Sequence, residues 1–83
     1  MKYKISLYFF GKKEPIHETL DDIDDALSRL ESLAFSTGCV GGGMKRGSIT
    51  GGWLAKTIKK ESCPRAGVEN GAQSFALEIT KLN

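Results

Sequence analysis

Apolar residues at helical spacing form the strongest pattern in this sequence. Five of them recur at intervals of three or four residues, at Leu20, Ile23, Leu27, Leu30 and Ala34. Residues at this spacing lie on one side of an α-helix, so the pattern predicts a helix over about residues 19–36 with a single apolar face. Such a face must be covered, and this requirement constrains the rest of the chain.

Both ends of the predicted helix carry end signals. Thr19 is the expected N-cap, with Asp22 three residues later as a weak capping box. Several aspartates follow, where the positive end of the helix dipole favours negative charge. Gly38 is expected just after the last turn, a position that often needs a positive φ.

Alternating residues at the two ends of the chain predict two strands. Residues 2–10 alternate with Tyr3, Ile5, Leu7 and Phe9 on one side, which is typical of a strand with one buried face. Residues 74–82 alternate in the same way. Between the first strand and the helix, residues 11–16 read as a turn.

The middle of the chain is less regular. Six of the ten glycines lie between residues 39 and 52, so a glycine-rich loop is predicted over about residues 38–52. Residues 53–60 fit either a strand or a short helix, and we favour a strand because glycines border it and a third element must pair with the first strand. Residues 62–73 are polar and contain the turn pair Asn70 and Gly71, so they are predicted to form a loop.

Together these elements predict a single α+β domain over residues 1–83, with the order strand, helix, strand, strand. A chain of 83 residues has room for one modest core. The helix would cover a three-stranded mixed or antiparallel sheet, and a right-handed crossover would make the first two strands parallel. Tyr8, Phe10 and Trp53 are expected on the uncovered face, where a partner or a second copy could dock.

The charges are unevenly distributed along the chain. The net charge is +2, yet residues 14–31 carry seven acidic side chains and one arginine, whereas residues 32–66 carry six basic side chains and one glutamate. We therefore expect two oppositely charged regions that would orient a binding partner.

Targeting and disulfide signals are weak. Two cysteines, Cys39 and Cys63, are fewer than a small secreted protein normally carries, which favours two free thiols in a reducing compartment. The apolar run at residues 5–10 is shorter than the core of a signal peptide, and no run approaches the roughly 20 residues of a membrane span. We expect a soluble cytoplasmic protein.

No motif for a cofactor, a metal or catalysis is complete. In the glycine-rich loop, Met44 precedes Lys45 where a Walker A loop needs a glycine, and the glycines follow a helix, unlike those of a dinucleotide site. A structural zinc site needs four ligands. His17 is the only histidine and the two cysteines are not paired in sequence, so the chain offers too few ligands. We expect no cofactor, no metal and no enzyme activity, and leave anion binding by the loop open.

Charged and aromatic residues remain as the candidates for contact with a partner. The basic region surrounds the only tryptophan. The aspartates expected at the start of the helix form a second patch. The predicted contact residues are Lys45, Arg46, Trp53, Lys56, Lys59, Lys60, Asp21, Asp22 and Asp25.

These residues fit two functions. The favoured one is a protein-binding module that acts through charged patches. The alternative is a single-stranded nucleic-acid-binding protein in which the lysines contact phosphates and Trp53 stacks on a base. In size and predicted element order the chain resembles the small inhibitors made by phages and mobile elements, such as anti-CRISPR proteins. That resemblance implies an inhibitor of a host complex, in which either the acidic patch mimics nucleic acid or the Lys/Arg loop grips an acidic partner.

Overall fold

The computed structural model describes residues 2–11, 14–37, 47–70 and 75–82. In chain order the elements are β1 (Lys2–Phe9), β2 (Ile16–Leu20), α1 (Ile23–Ser36), α2 (Trp53–Lys59), β3 (Arg65–Asn70) and β4 (Phe75–Leu82). The strands form one antiparallel sheet in the order β2-β1-β4-β3, with the two longest strands at its centre. The α+β class expected from the sequence is confirmed.

Both helices pack on the same face of the sheet. Successive strand residues point to opposite faces, so the buried Ile5 and Leu7 of β1 share a face with their partners Ile79 and Leu77 of β4. α1 lies mainly over β1, and α2 lies over β3 and β4. The helices bury the following side chains against this face: Ala26, Leu27, Leu30 and Ala34 of α1, and Leu54, Ala55 and Ile58 of α2.

α1 begins later than predicted, because Asp22 and not Thr19 is its N-cap. The Asp22 carboxylate accepts hydrogen bonds from the backbone N–H groups of Asp24, at 3.0 Å, and Asp25, at 3.1 Å. Thr19 lies in β2, opposite Lys4. The predicted end of the helix is confirmed at Ser36, with Thr37 as the C-cap.

β2 occupies a segment whose first residue was predicted in a turn and whose last two were predicted in the helix, with residues 17 and 18 assigned to neither. Leu20 lies three residues before Ile23 and so extends the helical pattern, yet it pairs with Tyr3 and packs against the core as a strand residue. Glu18, on the same face of β2, binds Arg29 of α1. Packing against β1 and α1 therefore decides the conformation of these five residues.

The two segments after α1 also differ from prediction. Residues 53–60 were expected as a strand, but Trp53–Lys59 form α2, which buries its apolar residues on one side. The predicted loop at 62–73 contains β3, which replaces the strand expected at 53–60, and β2 is the fourth strand of the sheet. Every pairing is antiparallel, so the mixed sheet and the parallel crossover are wrong.

The glycine-rich loop is described only in part. Residues 38–46, including Gly38, lie outside the described ranges. Residues 47–50 form a turn whose Ile49 is buried in the core. Of the two helices described, neither combines the length and the apolar character needed to cross a membrane.

Candidate interaction surface

α2 presents an aromatic and basic stripe to solvent. Trp53, Lys56 and Lys60 are spaced by three and four residues, so they follow one side of the helix and its C-cap. Trp53 is 60% exposed, and both lysines are exposed. We call these three residues the α2 face.

α2 begins with its own backbone hydrogen bond and is tied to the sheet at its end. At its start, the backbone N–H of Lys56 donates to the carbonyl of the N-cap Gly52 at 3.2 Å. At its end, the Lys81 ammonium of β4 donates to the carbonyl of Lys60 at 3.0 Å. A cation at this position also complements the negative end of the helix dipole. The α2 face is therefore presented by a helix tied to the sheet.

Glu31 of α1 holds the turn that precedes α2. Its carboxylate accepts hydrogen bonds from the backbone N–H of Gly47 and from the Thr50 hydroxyl, the latter at 3.3 Å. The next residues, Gly51 and Gly52, lead directly into the helix. Glu31 was not among the predicted site residues. It contributes to the α2 face only by holding the turn that leads into the helix.

The basic and acidic regions meet in the structure. Lys59 of α2 forms an ion pair with Asp24 of α1 at 2.9 Å, although 35 residues separate them in sequence. Asp21 and Asp25 are exposed next to this pair in sequence, and neither forms an ion pair with the residues that the structure describes. We call Asp21, Asp22, Asp24 and Asp25 the acidic turn.

This contact changes the roles expected for several charged residues. The two regions were expected as separate fields, but Lys59 joins them. Asp22 caps α1, so its carboxylate is committed to the helix. Lys45 and Arg46 lie outside the described residues. The predicted contact residues that stay exposed without a described ion pair are Trp53, Lys56, Lys60, Asp21 and Asp25.

A second ion pair joins β2 to α1. The guanidinium of Arg29 donates to both carboxylate oxygens of Glu18, at 2.8 and 3.0 Å. These hydrogen bonds hold the pKa of Glu18 below its ordinary value and raise the pKa of Arg29. The paired charges tie α1 to the edge strand, so we assign them a structural role.

The sheet face turned away from the helices, which we call the open face, is mostly polar. Tyr8 lies on it as expected, whereas Trp53 lies on α2, on the other side of the sheet. An antiparallel sheet is commonly stable with one polar face in water. A homodimer through the open face stays a prediction.

The buried Ser6 and the exposed His17 form a polar contact on the open face. The Ser6 hydroxyl and His17 Nδ1 share a hydrogen bond of 2.8 Å, and the ring of Tyr8 meets the imidazole edge-on at 5.6 Å between centroids. Ser6 is only 1% exposed, so its hydroxyl is not presented to a substrate. The pair fastens β2 to β1 and does not form an accessible nucleophile.

The cysteines and potential metal ligands add no further site to the described part of the chain. Cys63 is a free thiol that donates to the carbonyl of Arg65 at 3.0 Å, and Cys39 lies outside the described ranges. Across residues 2–11, 14–37, 47–70 and 75–82, no three His, Cys, Asp or Glu side chains are grouped closely enough to hold a metal ion.

A cavity of about 190 Å³ opens between β1, β4 and β3 on the open face. Tyr8, Glu69 and Glu78 stand around it, and Gly67 and Ala76 lie at its base. None of these residues except Tyr8 was singled out from the sequence. The sequence alternation at residues 74–82 and the sequence pair Asn70 and Gly71 were the signals that could have placed them on one face.

Comparison with known proteins adds no assignment to this geometry. No protein-family model, curated protein or solved structure matches the chain. The resemblance to small phage inhibitors depended on a strand, helix, strand, strand order, and the observed order differs from it.

Proposed function

We propose that this chain is a non-enzymatic protein-binding module that contacts its partner through the α2 face. The observation that carries the proposal is Trp53, which is 60% exposed and has Lys56 and Lys60 on the same side of the helix. Tryptophan is enriched among the residues that dominate binding energy. Lysines around it would attract and orient an acidic partner.

The exposed part of Trp53 is large enough to matter for affinity. An aromatic side chain buries about 150 to 250 Å² when fully covered, so 60% exposure leaves about 90 to 150 Å² for a partner. At about 25 cal/mol per Å², covering it contributes roughly 2 to 4 kcal/mol. Loss of this contact would weaken binding by about 30-fold or more.

A protein partner fits the charges around α2 better than a nucleic acid does. Asp24 is 2.9 Å from Lys59, so the acidic turn adjoins the α2 face. Charges within a Debye length of about 8 to 10 Å interact at physiological salt, and carboxylates there repel phosphates. A protein surface with charges of both signs can complement lysines and aspartates together.

Single-stranded nucleic acid is the alternative ligand for the same surface. Trp53 could stack on a base while Lys56 and Lys60 contact the backbone, an arrangement used by proteins that bind single strands. This alternative predicts that binding weakens steeply with salt and is lost when the nucleic acid is digested.

The inhibitor of a host complex, of the anti-CRISPR type, is one form of the proposed protein-binding function. Its support is the exposed charge of Asp21 and Asp25, which could occupy a site that normally binds phosphates. Because Asp22 caps α1 and Asp24 binds Lys59, mimicry of nucleic acid would depend on the remaining two carboxylates.

Affinity capture from a lysate of the source cells tests the proposal. The bait variants are Trp53→Ala and the double charge reversal of Lys56 and Lys60 to Glu. A matched control reverses Lys2 and Lys4, two exposed lysines on the open face. We expect a nuclease-resistant partner that both α2 variants lose and the control retains.

Other outcomes of the capture experiment would support the alternative ligand or refute the role of the α2 face. Loss of the partner after nuclease treatment would support the nucleic-acid alternative. Capture that is unchanged by both α2 variants would refute the role of the α2 face. Charge reversal of Asp21 and Asp25 tests the acidic turn separately, and circular dichroism checks that each bait is folded.

A further inference from the structure

The cavity on the open face results from two small residues that lie beside each other. Tyr8, Ala76 and Glu69 form one row across β1, β4 and β3, and Glu78 pairs with Gly67 in the next row. Glycine has no side chain and alanine only a methyl group. The longer side chains of Tyr8, Glu69 and Glu78 therefore surround a gap of about 190 Å³.

The backbone keeps this gap open. A β-carbon at position 67 would lie 3.1 Å from the carbonyl oxygen of Leu77, which is tighter than an ordinary contact. A larger residue at this position would press against the neighbouring strand. The close approach of the neighbouring strand therefore favours glycine at the base of the cavity, whether or not a ligand binds there.

The chemistry around the gap favours a cation. Glu69 and Glu78 place two carboxylates at it, and the aromatic ring of Tyr8 can also attract a cation. Glu78 already binds the guanidinium of Arg65, which does not itself line the cavity. Glu69 forms no ion pair with another described residue. One carboxylate is thus shown to accept a guanidinium, and the second is available.

We propose that this cavity binds the side chain of a lysine or arginine from a partner polypeptide. Strands β1 and β3 are two strand spacings apart, or about 10 Å. An alkyl chain that contacts a carbon atom on each side needs a gap of about 7 to 8 Å between those two atoms. Pockets for drug-sized ligands measure about 300 to 1,000 Å³, so a volume of about 190 Å³ suits one side chain.

This site is separate from the α2 face. It lies on the sheet face turned away from both helices, so the two surfaces can be occupied or lost independently. A partner that wraps around the edge at β3 could reach both, since α2 packs on that strand.

Nuclear magnetic resonance of the full ¹⁵N-labelled chain tests the proposal directly. The probes are blocked pentapeptides with four glycines around a central lysine, arginine or norleucine. The lysine and arginine peptides should produce saturable amide shifts at Gly67, Glu69 and Ala76. The norleucine peptide, which has a similar alkyl chain without the charge, should produce none.

Three variants define the site. Glu69→Gln should weaken binding of the lysine peptide about two- to fivefold, as expected for one exposed ion pair. Arg65→Gln should strengthen it by a similar factor, because it frees Glu78 from its internal partner. Glu14→Gln, which neutralises an exposed carboxylate outside both surfaces, is the matched control and should leave the affinity unchanged.

The proposal would be overturned by any of three results. Equal shifts with the norleucine peptide would show that the charge is not recognised. Equal saturable shifts with calcium chloride alone would indicate a site for bare cations. Weaker binding in Arg65→Gln would show that Arg65 belongs to the site and does not compete for it. Failure here would leave the capture experiment on the α2 face unaffected.

Discussion

Gly52 is the position at which a single methyl group should most disturb the presentation of α2. A β-carbon there would lie 2.0 Å from the carbonyl oxygen of Ser48, whereas real β-carbons essentially never approach closer than 3.0 Å. The backbone would therefore have to move by about 1 Å. Because the obstructing atom belongs to the main chain, no rotation of a side chain can relieve the clash.

We expect Gly52→Ala to lower the free energy of unfolding by about 3 kcal/mol, at the upper end of the range for overpacking. Stability of about 0.05 to 0.15 kcal/mol per residue corresponds to roughly 4 to 12 kcal/mol for 83 residues. The substitution would remove a quarter or more of it. In urea unfolding, an m-value of about 1 to 3 kcal/mol/M converts this loss to a midpoint lower by roughly 1 to 3 M.

Gly11→Ala is the matched control for this measurement. Among the described residues other than its chain neighbours, no heavy atom lies within 4 Å of a β-carbon built at position 11, and Gly11 does not have a left-handed φ. Its substitution should leave stability unchanged or raise it by up to about 1 kcal/mol, because the unfolded chain loses freedom. Equal midpoints for Gly52→Ala and the wild type would refute the close packing of α2 against the 47–50 turn.

Three further predictions concern polar contacts. In a double-mutant cycle, Lys59→Ala and Asp24→Ala should show a coupling free energy of about 0.2 to 1 kcal/mol that decreases with salt, and strictly additive effects would contradict the ion pair. Glu18→Gln should destabilise the protein most above pH 4.5, because hydrogen bonds from Arg29 hold the Glu18 pKa below that ordinary value and the stability is lost as pH falls through the lowered value. A stability difference that stays constant from neutral to strongly acidic pH in urea unfolding would contradict this linkage. Ser6→Ala should cost about 0.5 to 1.5 kcal/mol by removing the hydrogen bond to the neighbouring imidazole, and an unchanged urea midpoint would show that this bond does not contribute.

Long periodic segments could be predicted from the sequence. The alternation in β1 and β4 and the helical spacing in α1 extend over eight or more residues each, so the repeat itself indicates the conformation. The boundary of α1 was wrong by four residues, because Leu20 fits both the helical stripe and the strand that precedes it.

Short segments could not be predicted in this way. α2 has seven residues and β3 has six, which is too few for a period to separate helix from strand. β3 also contains Gly67, which weakens a strand pattern, although the turn pair Asn70 and Gly71 between alternating segments was a usable hairpin signal.

For the candidate surface, too, some features could be predicted from the sequence and others only from the structure. From their residue types, the sequence predicted Trp53 and its neighbouring lysines as contact residues, and this stays a prediction. Their common orientation follows from α2 being a helix, and the junction with the acidic turn follows from the contact of Lys59 with Asp24. The cavity at Gly67 depends on the register of three strands, which no local pattern specifies.

The sequence by itself therefore determined the α+β class, the two central strands, the main helix and the charged residues available for binding. Only the tertiary structure decided the second helix, the two edge strands and the pairing of charges between the helices. The physical reason is that a long amphipathic repeat carries its own preference for one conformation. A short segment adopts the conformation that its packing partners stabilise, and those partners are distant in sequence.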